Sequence, residues 1–254
     1  MHERKNDMKK AIILVAGKGT RLQPRTLSTH KCLTEVNGTP ILKNALTILD
    51  REGIGEVVLV VGYLADQIKN TMGESFGSMR LSYVANDIYD KTNTSASLLL
   101  GVQAVSDFDE LYILEGDVFF SADVFDRLRD EKAGDATVLE PYNSKLDGTF
   151  ASIDESEYVT DWCHKSMRPE GYTLEDKFKT VNIHKFSAAF TEGVLKPALE
   201  KSVSEKAGRD PLENVMMGIV RKDPRAVKGV VLRGEKWFEI DDSTDLAEAE
   251  RIFR

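Results

Sequence analysis

Residues 11–33 read Ala-Ile-Ile-Leu followed by "VAGKGTRLQPRTLSTHKCL", Val15 to Leu33. Apolar residues that lead straight into two glycines, two arginines, two lysines and no acid describe a buried strand opening into a cationic turn. An open parallel sheet places ligands at the carboxyl ends of its strands, where Gly17 and Gly19 fall. Glycine permits positive φ and close backbone approach, so the N–H groups of such a turn can converge on phosphate oxygens. Arg21, Arg25 and Lys31 add the full charges that a triphosphate requires.

Downstream, short apolar runs alternate with amphipathic ones. Ala11–Val15, Glu56–Val61, Arg80–Ala85 and Leu111–Glu115 read as strands. Pro40–Arg51, Ala65–Met72 and Thr94–Val105 read as helices, with Pro40 suited to a first turn and Gly53 to a left-handed exit. This β-α-β rhythm predicts an α/β fold, a Rossmann-like, mostly parallel sheet with helices on both faces. From about Ala136 the rhythm changes. Thr137–Glu140, Phe150–Ile153, Tyr158–Asp161 and Thr180–Phe186 suggest a smaller, antiparallel patch. Ser187–Lys201 and Pro211–Val220 return to helix, followed by strands Val227–Leu232 and Trp237–Ile240 and a terminal helix Thr244–Phe253. The expected organisation is one domain over residues 8–254. Within it, 8–135 form a nucleotide-binding core, about 136–226 an acceptor-binding part in a mixed lobe, and 227–254 a return to the core.

A chain of 254 residues with 41% hydrophobic and 30% charged residues is ordinary for a globular protein. Its net charge of −8 argues against nucleic acid as a partner. Two cysteines, Cys32 and Cys163, without paired spacing point to a reducing compartment. The charged start Met1–Asp7, the short apolar run after it, and the lack of any stretch near membrane-spanning length give a cytoplasmic expectation with no membrane partner.

Two common phosphate loops do not match: a dinucleotide loop needs glycine where Leu22 stands, and a P-loop needs a different glycine spacing and a Gly-Lys-Ser/Thr end. The pattern "AGKGTRLQPRT…HK" resembles instead the nucleotidyltransferase family that makes nucleotide-sugars and CDP-aminoalcohols. Its signature is close to A-A-G-x-G-x-R-L-x-P-x-T-x-x-x-P-K. Val15 stands for the first alanine and His30 for the proline before the lysine. The resemblance implies the nucleotide-diphospho-sugar transferase type of fold. It also implies that the backbone of Leu14, Ala16 and Gly17 holds the base, and that the turn from Gly17 through Gly19 and Thr20 holds the phosphates. Arg21 would bind the β- and γ-phosphates and Lys31 the α-phosphate, as the catalytic pair.

Nucleotidyl transfer needs charge compensation at the α-phosphate, usually by Mg²⁺ on one or two carboxylates. "LYILEGDVFF" and "WFEIDDSTD" end strands in acids, and the resemblance assigns the metal to Asp117 and Asp241. Asp242 or Ser243 is better suited to capping the last helix. "ANDIYDKTNTSASLLLG", with the two acidic stretches, is most like bacterial phosphocholine cytidylyltransferases and enzymes acting on 2-aminoethylphosphonate. Asn86, Asn93 and Ser95 are then candidates for the pyrimidine or ribose, although Asn93 equally suits a helix cap. For the acceptor, "DPLENVMMG" brings forward Glu213, with Glu140, Asp147 and Phe150 as weaker candidates. Lys179 and Asn182 could meet its phosphate or phosphonate.

The resulting expectation is a Mg²⁺-dependent cytidylyltransferase that joins CMP from CTP to 2-aminoethylphosphonate or phosphocholine and releases pyrophosphate. A sugar-1-phosphate nucleotidyltransferase using UTP, dTTP or CTP is the nearest alternative, and an inactive nucleotide-binding regulatory module a further one. A homodimer, or fusion to another enzyme domain, is compatible with the sequence. Cys32 reads as a small buried hydrophobe, Cys163–His164 as no metal pair, and Trp162 and Trp237 as packing residues.

Overall fold

The apolar run that precedes the glycine turn forms strand β1, Lys9–Val15, in the computed structural model of the chain, which describes residues 8–254. The charged start Met1–Asp7 lies outside the described residues. A short hairpin, β2 (Glu35–Val36) and β3 (Thr39–Pro40), leads to helix α1 (Ile41–Arg51). Then come β4 (Glu56–Val61), α2 (Ala65–Met72), β5 (Ser75–Phe76), β6 (Met79–Ala85), α3 (Thr94–Ala104) and β7 (Glu110–Glu115). After β8 (Val118–Phe120) and α4 (Ala122–Asp130) follow β9 (Ala136–Pro141), β10 (Phe150–Ile153), β11 (Val159–Cys163) and β12 (Phe178–Ser187). The chain closes with α5 (Ala188–Phe190), α6 (Lys196–Lys206), α7 (Leu212–Lys222), β13 (Lys228–Val231), β14 (Trp237–Glu239) and α8 (Ser243–Ile252).

β6, β4, β1 and β7 lie side by side and parallel. β12 runs antiparallel between β7 and β9, and β13 adds to β9 in parallel. Every residue of β4 is buried, as a parallel strand covered on both faces requires. The period of two divides the strands between two cores. Ile13, Val15, Leu59 and Val61 pack with Leu42, Leu46 and Leu49 of α1. Ile12, Leu14, Val58 and Val60 pack with Leu98 and Val102 of α3. The fold class is therefore the mostly parallel α/β arrangement that the sequence rhythm predicts.

The patch expected after Ala136 is antiparallel through β9, β10, β11 and β12, and β13 joins β9 in parallel at its edge. The second half departs from expectation in two places. β8 is an additional strand, paired with β14; three residues between a turn and a helix carry too little pattern to be read as a strand. The helix expected over Ser187–Lys201 contains a π-helical turn at Thr191–Leu195 before α6. No helix among the described residues is long and apolar enough to cross a membrane.

Candidate active site

β1 ends at Val15, and the chain turns through Gly17 and Gly19 into a short 3₁₀ turn, Thr20–Leu22. Gly19 takes φ +59°, and a Cβ there would lie 2.9 Å from Lys31 Cβ. Glycine at this position lets the stem of Lys31 cross the turn. The loop is anchored from outside: Thr26 Oγ1 donates to the Gly19 carbonyl at 2.9 Å, and Tyr63 Oη donates to the Thr26 carbonyl at 2.9 Å.

Two Glu-x-Asp pairs arrive opposite this turn. Glu115-Gly116-Asp117 leaves the end of β7, and Glu239-Ile240-Asp241 leaves β14. Alternation along an extended chain sends the two acids of each pair to the same side. The pairs are stitched together where Ile240 N–H donates to the Asp117 carbonyl at 2.9 Å. Gly116 makes the approach possible, since a Cβ there would stand 2.3 Å from Val15 Cγ1 and 2.8 Å from the Leu14 carbonyl oxygen.

Lys31 Nζ lies 2.9 Å from Asp117 Oδ2 and 2.8 Å from Asp241 Oδ1, and Arg21 reaches the same Asp241 oxygen at 2.8 Å. Burial alone would drive the Lys31 ammonium toward neutrality, but Asp117 and Asp241 hold it above the ordinary lysine range. Burial likewise opposes the Asp241 anion, yet Lys31 and then Arg21 keep its carboxyl below the usual value. Glu115 and Glu239 behave differently. Burial raises both, Glu115 further through the charges of Asp117, Glu213 and Glu239, and Glu239 through Asp117 and Asp241 against the opposing pull of Lys179.

One cavity of about 310 Å³ joins Arg21, Lys31, Glu115, Asp117 and Asp241, with Glu239 outside its lining. Its walls include Leu14, Ala16, Gly17, Gly19, Thr20, Arg21, Lys31, Asn93, Asp117 and Asp241 from the sequence-derived set. Asn93 lines the cavity and is also the cap of α3, accepting from Thr94 N–H at 2.8 Å. Asn86 and Ser95 are fully enclosed and lie outside the lining. The Asn86 amide donates to Thr92 Oγ1 and Ser97 Oγ at 3.0 Å each, and Ser95 Oγ donates to the Asp210 carbonyl at 2.5 Å. Tyr89, Thr92, Thr94 and Ser97 line the cavity without having been singled out; their signal is the loop they share with Asn86 and Asn93.

Of the acceptor candidates, Asn182 donates to Glu115 Oε2 at 3.1 Å from a left-handed backbone position, φ +62°. Lys179 Nζ lies 3.0 Å from Glu239 Oε2 and donates to the Thr180 carbonyl at 2.7 Å. Glu213 accepts from Thr149 Oγ1 at 3.3 Å. Glu140 accepts from Trp237 Nε1 at 3.2 Å. Asp147 is on the surface, paired with Lys165 at 3.0 Å and Arg168 at 3.7 Å; Phe150 is buried, with the Arg168 guanidinium 5.2 Å from its ring centre. Asp242 caps α8 in a reciprocal capping box with Asp245.

The residues present suit a divalent cation. Oxygens of Glu115, Asp117 and Glu239 lie within 4.8 Å of one another. Asp117 Oδ1 is buried with no hydrogen-bond partner, and an all-carboxylate donor set matches a hard ion such as Mg²⁺. Glu239 was missed in the sequence, although its spacing from Asp241 is the same as that of Glu115 from Asp117.

Known proteins resemble this chain at several levels. It is 29% identical over 244 residues to a CMP-5'-(3-aminopropyl)phosphonate synthase of Streptomyces rubellomurinus, covering 96% of this chain and 38% of the relative. It is 36% identical over 116 residues to the choline-phosphate cytidylyltransferase of Streptococcus pneumoniae, covering 46% and 48%. This chain thus spans less than half the length of these two relatives. With the CTP:phosphoglutamine cytidylyltransferase of Campylobacter jejuni it shares 27% identity over 93% of its own length and 97% of the relative. Its fold matches the inositol-1-phosphate CTP transferase of T. maritima (TM-score 0.74, 19% identity, 97% and 95% coverage). It also matches the CTP:phosphocholine cytidylyltransferase of Streptococcus pneumoniae (TM-score 0.73, 23% identity, 97% and 100% coverage). The model of the MobA-like NTP transferase domain matches residues 11–182, and the chain belongs to that family.

Proposed function

We propose that this chain is a Mg²⁺-dependent cytidylyltransferase that moves CMP from CTP to a small phosphonate or phosphate bearing an amine. The observation that carries the reading is the convergence of the glycine turn, Lys31, Glu115, Asp117 and Asp241 on one cavity, with Glu239 within 4.8 Å of the first two acids. The choice of CTP rests on the cytidylyltransferase relatives.

In this reading the turn's N–H groups and Arg21 hold the β- and γ-phosphates, and Lys31 neutralises the α-phosphate. Asp117 and Asp241 hold the metal, with Glu115 and Glu239 beside them, and the ion offsets the negative charge that builds up on the transferring group. An anionic oxygen of the acceptor attacks the α-phosphorus in line; the new P–O bond forms as the bond to the β-phosphate's bridging oxygen breaks, and pyrophosphate leaves. A phosphonate oxygen is already ionised at neutral pH, so the residues need supply only position and charge. Glu213, whose charge reaches Glu115, would match the acceptor's ammonium. A carboxylate there favours a primary ammonium, which donates hydrogen bonds to it.

Pyrophosphate release measured with CTP, UTP, ATP and GTP against 2-aminoethylphosphonate, phosphocholine and a hexose-1-phosphate tests the proposal. Turnover with CTP and the aminophosphonate is expected. Preference for UTP with the sugar phosphate would replace this reading.

A further inference from the structure

His30 stands where the resembled signature carries proline, and its side chain is fixed from several directions. Its backbone N–H donates to Gln67 Oε1 at 2.6 Å. Its ring caps the short turn Lys31–Leu33, with Nδ1 accepting from Cys32 N–H at 3.1 Å. The residue is 2% exposed, and burial above all lowers its pKa to about 4, so the ring is neutral at physiological pH. A neutral imidazole whose Nδ1 accepts must carry its proton on Nε2.

That Nε2 is buried and has no hydrogen-bond partner. The ring lies against the backbone carbonyls of Gly17 and Val15 at the wall of the nucleotide cavity, near enough for both to favour its protonated form but short of full hydrogen-bond geometry at Nε2. An unfilled buried donor is costly, and one this close to the Gly17 carbonyl needs only a small shift of the turn to complete its bond. In a planar trans peptide the carbonyl and the following N–H point in opposite directions. Fixing the Gly17 carbonyl on His30 therefore aims the Lys18 N–H away from His30.

We propose that His30 is a positioning residue of the phosphate-binding turn, whose Nε2–H takes the Gly17 carbonyl as the triphosphate binds and thereby sets the Lys18 N–H for a phosphate oxygen. The inference rests on the nucleotide reading above. It separates this chain from relatives with proline at the position, since proline has no side-chain donor.

The test uses calorimetric titration of CTP, without acceptor, into the full chain and two variants. His30→Asn keeps an oxygen that can cap Cys32 N–H and removes the Nε2 donor, whereas His30→Gln restores an amide donor at similar reach. CTP should bind roughly tenfold more weakly to His30→Asn and be largely rescued in His30→Gln. In ¹⁵N-edited NMR of the wild type, the ring should show the Nε2–H tautomer, with its proton moving downfield on addition of CTP. A His30→Asn affinity equal to wild type, no rescue by glutamine, or an Nδ1–H tautomer would overturn the inference while leaving the cytidylyltransferase reading in place. Failure of the wild type to bind CTP at all would overturn both.

Discussion

Asp117 has two oxygens in different circumstances: Oδ2 meets the Lys31 ammonium at 2.9 Å, while Oδ1 is buried and free of any donor. A side chain so divided can be pulled between a lysine and a metal ion, and replacing it with asparagine should expose which matters. Asp117→Asn keeps the shape and removes the charge; pyrophosphate release should fall by at least ~100-fold, with circular dichroism unchanged. Lys31→Met should lose a comparable factor, because no other cation among the described residues bridges both aspartates. Near-normal rates from either variant would remove that residue from the site. The places of the glycine turn, Asp117 and Asp241 were legible in the sequence, since each stands at the end of an apolar run, whereas Lys31 lies in a polar stretch and was marked by the family resemblance. Glu239 was not. One further acid in a chain with 42 carries no mark of its own, and its meaning comes only when β14 is placed against β8. Cys32, by contrast, was legible as inert: it is buried, and burial pushes its thiol well up.

At the scale of elements, helix α8 does more than close the chain. Asp245 Oδ2 accepts from the N–H groups of Asp241 at 2.9 Å and Asp242 at 3.1 Å, while Asp242 Oδ1 accepts from Thr244 and Asp245 at 2.7 and 3.0 Å. The helix cap and the Asp241 backbone are thus one structure. Asp245→Ala should cost about 1 kcal/mol in urea unfolding and also lower turnover several-fold through a looser Asp241. Lost stability with unchanged turnover would show that the cap does not orient the site. The central strands and helices were readable to within a residue or two, because β1, β4 and β7 are apolar along most of their length and α1 and α2 carry one clear apolar face. The acceptor side was less so. The register of β12 shifts between Thr180 and His184, where Asn182 adopts its left-handed backbone. Such a bulge turns a side chain out of alternation, and no local pattern announces it.

Across the whole molecule, two buried histidines link stability to pH. His30 and His184 are both held neutral, burial lowering each from 6.5 to about 4. Between those values the unfolded chain takes up protons that the folded chain refuses, so stability falls as pH drops from 6.5 toward 4 and their contribution levels off below. The full effect is on the order of 3 kcal/mol per histidine. Urea unfolding at several pH values should show the decline, and it should be shallower in His184→Phe; a flat profile in the wild type would contradict the burial argument. The same architecture brings together groups from both ends of the chain, so the site exists only in the assembled sheet. In the proposed function, a triphosphate at the glycine turn and carboxylates from two distant strands share one divalent ion. Calorimetric titration of CTP into the wild type and an Asp117→Asn/Asp241→Asn double variant, in Mg²⁺ and again in EDTA, tests this most directly. The wild type should bind CTP tightly in Mg²⁺ and at least ~10-fold more weakly in EDTA, and the double variant should show no Mg²⁺ dependence. Equal affinity with and without the metal, or a double variant that retains the full Mg²⁺ effect, would contradict it.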